Sequence, residues 1–270
     1  MSETPITDQE FALFQRLIYK IAGINMADSK RTLLVGRLQR RLRHYGLDTY
    51  TQYYRLLASG EPAEELQTMV DLLTTNETYF FREPKHFEFL RDEVLAKRRS
   101  PATFRVWSAA SSTGEEAYTL AMVLAETIPS TPWEIVGSDI STQVLERARR
   151  GHYPLERNEG IPPALLRKYC LKGVRAQAGT FLISPELRSR VSFRQVNLTL
   201  PVDRDVGMFE VIFLRNVMIY FDLETKRKVV QNLLPHLAPG GHFIIGHSET
   251  LNGIGEGLSA VRPTIYRKSE

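Results

Sequence analysis

The sequence predicts an α/β protein with an all-helical N-terminal domain, followed by a doubly wound parallel sheet that carries a small inserted β subdomain. The first 85 residues show helical spacing only. From residue 104 onward, β-type runs alternate with helical runs, which argues for a parallel sheet covered on both faces. A stretch rich in proline and glycine, residues 153–190, interrupts this alternation. We therefore predict a helical domain at residues 1–85 and a sheet domain at residues 86–270 that includes the insertion.

The N-terminal domain opens with a capping box. Thr7 and Glu10 precede a run of apolar residues at helical spacing, and Gly23 is placed to end that helix. A second helix is expected from residue 28 or 29 to residue 46. Further helices are expected at residues 50–57, 63–73 and 83–96.

The second helix is amphipathic with a cationic flank. Residues 29–44 include six basic residues and no acidic residue. Its apolar face is formed by Leu34, Leu38, Leu42 and Tyr45. A neighbouring face holds Lys30, Arg37, Arg40, Arg41 and His44. A solvated cationic face is the ordinary interpretation of this pattern, and a docking surface for an acidic partner is the alternative.

The second domain alternates between the two kinds of element. Strands are expected at residues 104–110, 133–138, 191–196, 211–214, 242–246 and 264–267. Helices are expected at residues 115–126, 142–149 and 223–237. The inserted segment between residues 153 and 190 is expected to be a small β unit.

Composition indicates an ordinary soluble protein. Hydrophobic residues make up 43% and charged residues 24% of the 270 residues, and the net charge is +4. The longest apolar stretch, residues 211–221, is interrupted by Arg215 and Asn216 and is too short to cross a bilayer. The polar first ten residues do not resemble a signal peptide, and the single Cys170 suits a reducing compartment. We therefore expect a cytoplasmic protein that is not inserted in a membrane.

The turn after the first strand, residues 111–116, combines small residues with two carboxylates. Ligands of a doubly wound sheet lie beyond the carboxyl ends of its strands. This acidic turn has one glycine and no lysine, so it matches neither a dinucleotide fingerprint nor a P-loop. Carboxylates suit a ligand with positive charge and hydroxyl groups, which describes S-adenosylmethionine. The turn alone is equally consistent with a simple helix cap.

Polar residues follow the next strands at corresponding positions. Asp139 ends the second strand, 25 residues after Gly114, which is the place of a carboxylate that binds ribose hydroxyls. Asn197 and Leu198 follow the third strand, where an amide could read an adenine edge. Arg215 and Asn216 follow the fourth, and a charged residue after an apolar run is better explained by a strand end than by a core position.

Six segments in order resemble the chemotaxis receptor glutamate methyltransferase family, CheR. They are TNETYFFRE (75–83), AASSTGEEAY (109–118), GSDIS (137–141), VNL (196–198), FLRNVMIYFD (213–222) and GHSE (246–249). The resemblance covers nearly the whole chain and implies a Rossmann-like fold that uses S-adenosylmethionine and releases S-adenosylhomocysteine, without a metal. The implied cofactor contacts are Asn76, Thr78, Arg82, Glu116, Asp139, Asn197, Leu198, Arg215 and Asn216. Arg82 and Tyr220 are implied to lie closest to the transferred methyl group.

The resemblance also implies the acceptor and the partner. The acceptor is a glutamate in the cytoplasmic domain of a chemoreceptor, already ionised near neutral pH because its reference pKa is about 4.3. Arg82 and Tyr220 are then expected to orient groups rather than carry protons. The cationic side chains Lys30, Arg37, Arg40 and Arg41 are expected to bind the receptor. Residues 172–179 of the insertion are interpreted either as a grip for a receptor C-terminal peptide or as a plain surface loop.

The sequence leaves two alternatives to a receptor methyltransferase. A nucleic-acid methyltransferase is suggested by the basic pI of 9.1, but Asn216 is followed by Val217 and Met218 rather than by two prolines and an aromatic residue. Stacking platforms for single strands are not evident either, so nucleic acid is not expected as a partner. A catalytically silent scaffold of the same fold is the second alternative.

Overall fold

The computed structural model describes residues 4–270. Residues 1–3 lie outside the described residues; they begin both the predicted helical domain and the segment compared with a signal peptide. Four helices form the N-terminal part: α1 (Asp8–Ala22), α2 (Arg31–His44), α3 (Tyr50–Ser59) and α4 (Ala63–Leu73). A short 3₁₀ turn, Asp28–Lys30, leads into α2. The predicted helices are therefore present, within a few residues of their expected ends.

The predicted capping box of α1 is confirmed. The Thr7 hydroxyl accepts from the Glu10 backbone N–H, and the Glu10 side chain accepts from Thr7 in return. Gly23 ends the helix with a φ of 69°. An added Cβ there would lie 2.5 Å from the Thr225 side chain, so this glycine permits both the left-handed turn and the contact with the sheet domain.

The helix predicted at residues 83–96 is divided. It begins as α5 (Lys85–Phe89) and continues as a π-helical turn, Leu90–Leu95. Pro84 precedes the first residue, where its missing N–H costs nothing. Phe87 stacks on Phe213 of the sheet, with ring centroids 5.9 Å apart, which anchors this helix to the second domain.

Ten strands and five further helices follow. The strands are β1 (Phe104–Ala109), β2 (Trp133–Asp139), β3 (His152–Pro154), β4 (Cys170–Lys172), β5 (Thr180–Ile183), β6 (Val191–Gln195), β7 (Phe209–Leu214), β8 (Leu237–Ile245), β9 (Leu258–Arg262) and β10 (Ile265–Lys268). The helices are α6 (Glu115–Thr127), α7 (Thr142–Arg150), α8 (Pro163–Tyr169), α9 (Pro185–Arg188) and α10 (Leu223–Leu233).

The main sheet has the order β6-β2-β1-β7-β8-β10-β9. The first five strands in this order are parallel, and β10 and β9 are antiparallel to their neighbours. The connection direction reverses beside β1, and this crevice is where a doubly wound sheet binds its ligand. The predicted α/β fold is confirmed, with a mixed rather than wholly parallel sheet.

Two predicted boundaries near the C-terminus were wrong in detail, and one strand was not predicted. The last long helix ends at Leu233 rather than at residue 237, because Pro235 brings on a 3₁₀ turn. Strand β8 begins at Leu237 instead of residue 242. Strand β9 was missed, since four of its five residues are exposed and it therefore lacks an alternating apolar pattern.

The insertion contains the expected small β unit. Strands β3, β5 and β4 form an antiparallel sheet in that order. Helices α8 and α9 accompany this sheet, and Tyr153 and Phe181 join its inner face to the main core. Within residues 4–270, no helix has both the length and the apolar character needed to cross a membrane.

A buried carboxylate organises the helical domain. Glu65 on α4 is 2% exposed and forms two hydrogen bonds with the Arg41 guanidinium, the N–O distance to Nε being 2.8 Å. The hydroxyls of Tyr53 and Tyr45 also donate to it, at 2.6 and 3.0 Å. Although burial raises the pKa of Glu65, the hydrogen bonds from Arg41 and Tyr53 hold it below its usual range. This cluster joins α2, α3 and α4.

Removing the guanidinium of Arg41 is expected to destabilise the protein strongly. The variant Arg41→Ala leaves the Glu65 charge buried without its cation, which typically costs about 3–5 kcal/mol. The neighbouring Arg40 is exposed, so Arg40→Ala is the matched control and should change stability by less than about 0.5 kcal/mol. Urea unfolding followed by circular dichroism measures both; equal midpoints for the two variants would contradict the expectation.

Candidate functional site

A cavity opens at the carboxyl ends of β1, β2, β6 and β7, with an empty volume of about 1040 Å³ that is partly open to solvent. All nine predicted cofactor contacts line it, and so does Tyr220. The wall includes carboxylates and amides as well as apolar side chains such as Leu198, Val196 and Ile140. The structure therefore brings together predicted residues from five of the six motif segments, and the sixth, residues 246–249, does not line the cavity.

Asp139 is fixed by backbone donors at the end of β2. Its Oδ2 accepts from the Ser112 N–H at 2.9 Å, and its Oδ1 accepts from the Ser141 N–H at 3.0 Å. Burial nevertheless raises the pKa of Asp139 to about 6. Three backbone N–H groups, those of Ser112, Ser141 and Ile140, thus orient the carboxylate, and one of its roughly four lone-pair positions remains for a ligand hydroxyl.

Arg215 lies between two carboxylates at the end of β7. Its Nη1 is 2.8 Å from Glu116 Oε2 and its Nη2 is 3.1 Å from Glu83 Oε2. Nη2 also donates to the Arg82 carbonyl, and the guanidinium lies over the Phe87 ring, 5.5 Å from its centroid. Against the effect of burial, the positive charge of Arg215 holds the pKa of Glu83 below its usual range. Arg215 therefore acts first as a structural centre of the site.

The turn after β7 is held by Glu249, a residue to which the sequence analysis gave no role. Its carboxylate accepts from the backbone N–H groups of Asn216, Met218 and Gly246, at 2.7 to 2.9 Å. Burial raises the pKa of Glu249 in spite of these donors. Asn216 takes a φ of 57°, so this carboxylate stabilises a turn that would otherwise be strained.

The polar aromatic loop, residues 75–83, closes the cavity from the other side. The Asn76 carbonyl accepts from the Ser112 hydroxyl at 2.8 Å, which ties the loop to the acidic turn. Phe80 is fully buried between Tyr153 and Phe181 of the insertion, with ring centroids at 5.1 and 5.9 Å. The loop is therefore anchored by its middle aromatic residue, and Tyr79 and Arg82 face the cavity.

The insertion braces the same loop through Arg157. Its Nη1 donates to the Thr78 carbonyl at 2.9 Å and lies 3.3 Å from the buried Glu115 carboxylate. The Tyr153 hydroxyl donates to the Thr113 carbonyl of the acidic turn at 2.7 Å. The sequence motifs did not predict a role for Arg157, because no pattern in the insertion indicates a contact with the strand ends.

Asn197 lines the cavity, but most of its amide is occupied within the protein. Its Nδ2 donates to the Ile21 carbonyl at the end of α1, at 2.6 Å. Its Oδ1 accepts from the Thr199 N–H and hydroxyl. The predicted reading of an adenine edge by this amide stays a prediction, and only the second Nδ2 hydrogen is left for it.

The four cationic residues predicted to bind a receptor do not line the cavity and have different surroundings. Lys30 and Arg40 are exposed. Arg37 is half-buried and donates to the carbonyls of Leu72 and Thr74, at 3.0 and 2.8 Å. Arg41 is engaged with Glu65, as described above. Helical spacing alone could not separate these pairs, because it does not show which flank of α2 packs on α4.

Glu83, His86 and His247 bring their ligand atoms within 4.8 Å of one another, a spacing that a metal ion could bridge. The Glu83 carboxylate, however, already accepts from the Arg215 guanidinium, from the Asn216 side-chain amide and from the backbone N–H of His247. Burial and the nearby Arg215 charge lower the pKa of His86 to about 3, so this imidazole is neutral. We assign these side chains to the support of Arg215 and not to a metal.

Comparison with known proteins gives a consistent picture. The family model described as "CheR methyltransferase, SAM binding domain" matches residues 76–266, and the model "CheR methyltransferase, all-alpha domain" matches residues 9–74. The chain is 41% identical over 267 residues to a chemotaxis protein methyltransferase of Escherichia coli K12, covering 98% of this chain and 92% of the relative. It is 41% identical over 263 residues to chemotaxis protein methyltransferase 2 of Pseudomonas aeruginosa PAO1, covering 96% of this chain and 93% of the relative.

The raised pKa of Asp139 predicts that cofactor binding weakens in acid. The carboxyl takes up a proton as the pH falls through about 6, and it then loses one acceptor position for the ribose hydroxyls. Calorimetric titration with S-adenosylmethionine should give a Kd about tenfold higher at pH 5 than at pH 7.5. In Asp139→Asn the Kd should be high at both values and nearly independent of pH. A variant that kept the wild-type pH dependence would assign it to another group, such as Glu249.

Proposed function

Because the chain belongs to the CheR methyltransferase family and is an S-adenosylmethionine-dependent methyltransferase, we propose that it methylates glutamate side chains in the cytoplasmic domain of a bacterial chemoreceptor. The observation that carries this proposal is the position of Arg82. Its guanidinium lines the cavity, donates to the Glu77 carbonyl at 2.9 Å and lies over the Tyr79 ring. Among residues 4–270 it has no carboxylate partner, so it is available to an incoming one.

The cavity suits the cofactor chemically. Asp139 is oriented to accept ribose hydroxyls, and the apolar wall near Leu198 and Val196 suits an adenine ring. Glu77, exposed on the cavity lining, places negative charge where a sulfonium or an amino group would be stabilised. Glu116 is paired with Arg215, so we propose that it contacts the cofactor as a hydrogen-bond acceptor. When bound, S-adenosylmethionine supplies an electrophilic methyl group to the site. We propose that the nine cavity-lining residues named above form its contacts.

The protein's contribution to the reaction is mainly positioning. With S-adenosylmethionine held by the cavity-lining residues, a receptor carboxylate oxygen oriented by Arg82 and Tyr220 would bond to the methyl carbon, and the electron pair of the broken carbon–sulfur bond would remain on sulfur. Carboxylate and sulfonium are both neutralised, so charge disappears in the transition state, and water hinders the step by stabilising the separated charges. We propose that Arg82 and Tyr220 orient the carboxylate at the cavity mouth and that the packed loop excludes water. No proton is moved.

The direct test is methyl transfer to purified chemoreceptor cytoplasmic domains from tritiated S-adenosylmethionine. The expected product is a base-labile methyl ester on glutamate, released as volatile methanol. Double- and single-stranded DNA and RNA serve as alternative acceptors and should remain unlabelled. Labelled nucleic acid, or tight cofactor binding without any transfer to receptor, would contradict the proposal.

Substitution of the two orienting residues should lower the rate without removing a titrating group. We expect Arg82→Ala and Tyr220→Phe to reduce kcat on receptor by roughly 10²- and 10-fold, the range for lost orientation. Their pH–rate profiles should keep the wild-type shape between pH 6.5 and 8.5. Loss of a titration step with unchanged cofactor affinity would show that one of them carries a proton.

Four cationic residues are expected to bind the receptor: Lys30, just before α2, and Arg37, Arg40 and Arg41 on α2. Of these, Lys30 and Arg40 are exposed. We propose that the exposed Lys30 and Arg40 meet an acidic receptor surface and speed encounter. Arg37 and Arg41 contribute by holding α2 on α4. A second contact is proposed at the insertion, where β4 is an edge strand with Leu171 exposed and could pair with a receptor C-terminal peptide. A cytoplasmic location follows from this partner.

Charge reversal on α2 should weaken receptor methylation in a salt-dependent way. The double variant Lys30→Glu/Arg40→Glu is expected to lower kcat/KM for receptor by about tenfold at 25 mM salt and by much less at 500 mM. Arg147→Glu, a reversal at an exposed arginine of α7, is the matched control and should have little effect. Equal behaviour of the double variant and this control would remove α2 from the receptor interface.

A further inference from the structure

Large apolar side chains are exposed beside the cavity mouth. Ile219 and Leu223 are 50% and 59% exposed, and Ile219 directly precedes Tyr220 in the chain. Tyr19 at the end of α1 is 39% exposed. Clustered apolar side chains on a surface usually mark a binding site, whereas single ones need no explanation. We call Tyr19, Ile219 and Leu223 the apolar rim.

The apolar rim is rigid, although its residues come from distant parts of the chain. The Tyr19 hydroxyl donates to Asp222, the residue between the two aliphatic positions, at 2.8 Å. The Asn25 N–H donates to the Tyr220 carbonyl at 2.8 Å, and Ile24 forms a β-bridge with Phe221. Residues 218–222 and the end of α1 therefore form one continuous surface, fixed before any partner arrives.

We propose that the apolar rim is the docking surface for the receptor helix that presents the acceptor glutamate, an inference that rests on the proposed function. Side chains three and four positions from that glutamate lie on the same helix face, about one turn of 5.4 Å away. When the glutamate enters the cavity between Arg82 and Tyr220, these neighbours must lie against the surface around the mouth. The apolar rim is part of that surface, so apolar side chains at these positions of the receptor helix would pack against it.

The charged residues around the apolar rim are mostly cationic, which suits a receptor helix with acidic flanks. Arg16 and Lys20 are exposed on α1 next to Tyr19, and Arg227 and Lys228 are exposed about one turn after Leu223. These four cations outnumber the two acidic residues beside the rim, Asp222 and Glu224. A helix with an apolar face and acidic flanks matches an apolar rim with cationic surroundings. Covering the rim also removes water from the cavity mouth, which favours a transfer that cancels charge.

The experiment compares Ile219→Ser/Leu223→Ser with Met208→Ser/Val261→Ser in methylation of a chemoreceptor cytoplasmic domain. Met208 and Val261 are 45% and 46% exposed and lie outside the cavity lining, so they match the rim residues in exposure and chemistry. The rim variant should lower kcat/KM for receptor on the order of tenfold, a typical loss for truncated interface anchors. Its Kd for S-adenosylmethionine and its melting temperature should equal those of the wild type.

Each outcome has a separate meaning. If the wild-type protein methylates receptor and both double variants behave alike, the docking inference is overturned while the proposed function stands. If the wild-type protein transfers no methyl group to receptor, the proposed function itself fails. A rim variant whose cofactor affinity falls together with its receptor activity would place these side chains in the support of the cavity, which also overturns the inference.

Discussion

The buried guanidinium of Arg215 is the interaction on which the site depends. It ties Glu83 of the polar aromatic loop to Glu116 of the first helix after the acidic turn, with N–O distances of 3.1 and 2.8 Å. Other contacts, such as the hydrogen bond from Ser112 to Asn76 and the Phe87–Phe213 stack, also join these segments, but Arg215 is the cation that neutralises both carboxylates. Breaking a buried pair of this kind typically costs about 3–5 kcal/mol, because it leaves a charge uncompensated. The cavity therefore forms only when all three segments are in place.

The helical domain is part of the site and not an appendage. Asp71 on α4 accepts from the backbone N–H and hydroxyl of Thr142, at 2.9 and 2.8 Å, which caps α7 directly after Asp139. Arg37 on α2 holds the end of α4 where the chain enters the cavity wall. The hydrogen bonds of Arg37 and Asp71 therefore connect α2, through α4, to the start of α7 beside Asp139. The proposed receptor-binding residues and the proposed cofactor contacts lie on one connected framework.

The sequence predicted those site residues whose position in the chain determines their position in the fold. Asp139, Asn197 and Arg215 were assigned to one cavity because the carboxyl ends of parallel strands meet at one edge of a sheet. The sequence did not predict the residues whose role depends on tertiary contacts. Arg40 and Arg41 both fall on the cationic flank of α2, and only the position of Glu65 shows that Arg41 is half-buried against α4 while Arg40 is exposed. Arg157 and Asp71 support the site from segments that carry no motif at all.

The same limit applies to Arg82 and Arg215, because the family resemblance placed Arg82 near the transferred methyl group but the sequence did not show the ion pairs of Arg215. Both are arginines beside polar motif residues, yet Arg215 is 6% exposed and engaged by two carboxylates, whereas Arg82 holds only a carbonyl and an aromatic ring. A guanidinium that is already neutralised cannot attract a substrate carboxylate, and one that bound it too tightly would lower its nucleophilicity. Because Arg215 satisfies the internal carboxylates, the Arg82 guanidinium has no carboxylate partner among residues 4–270. The proposed transfer cancels charge, so it would need a weak guide for the acceptor and no proton carrier, and Arg82 fits the first of these two requirements.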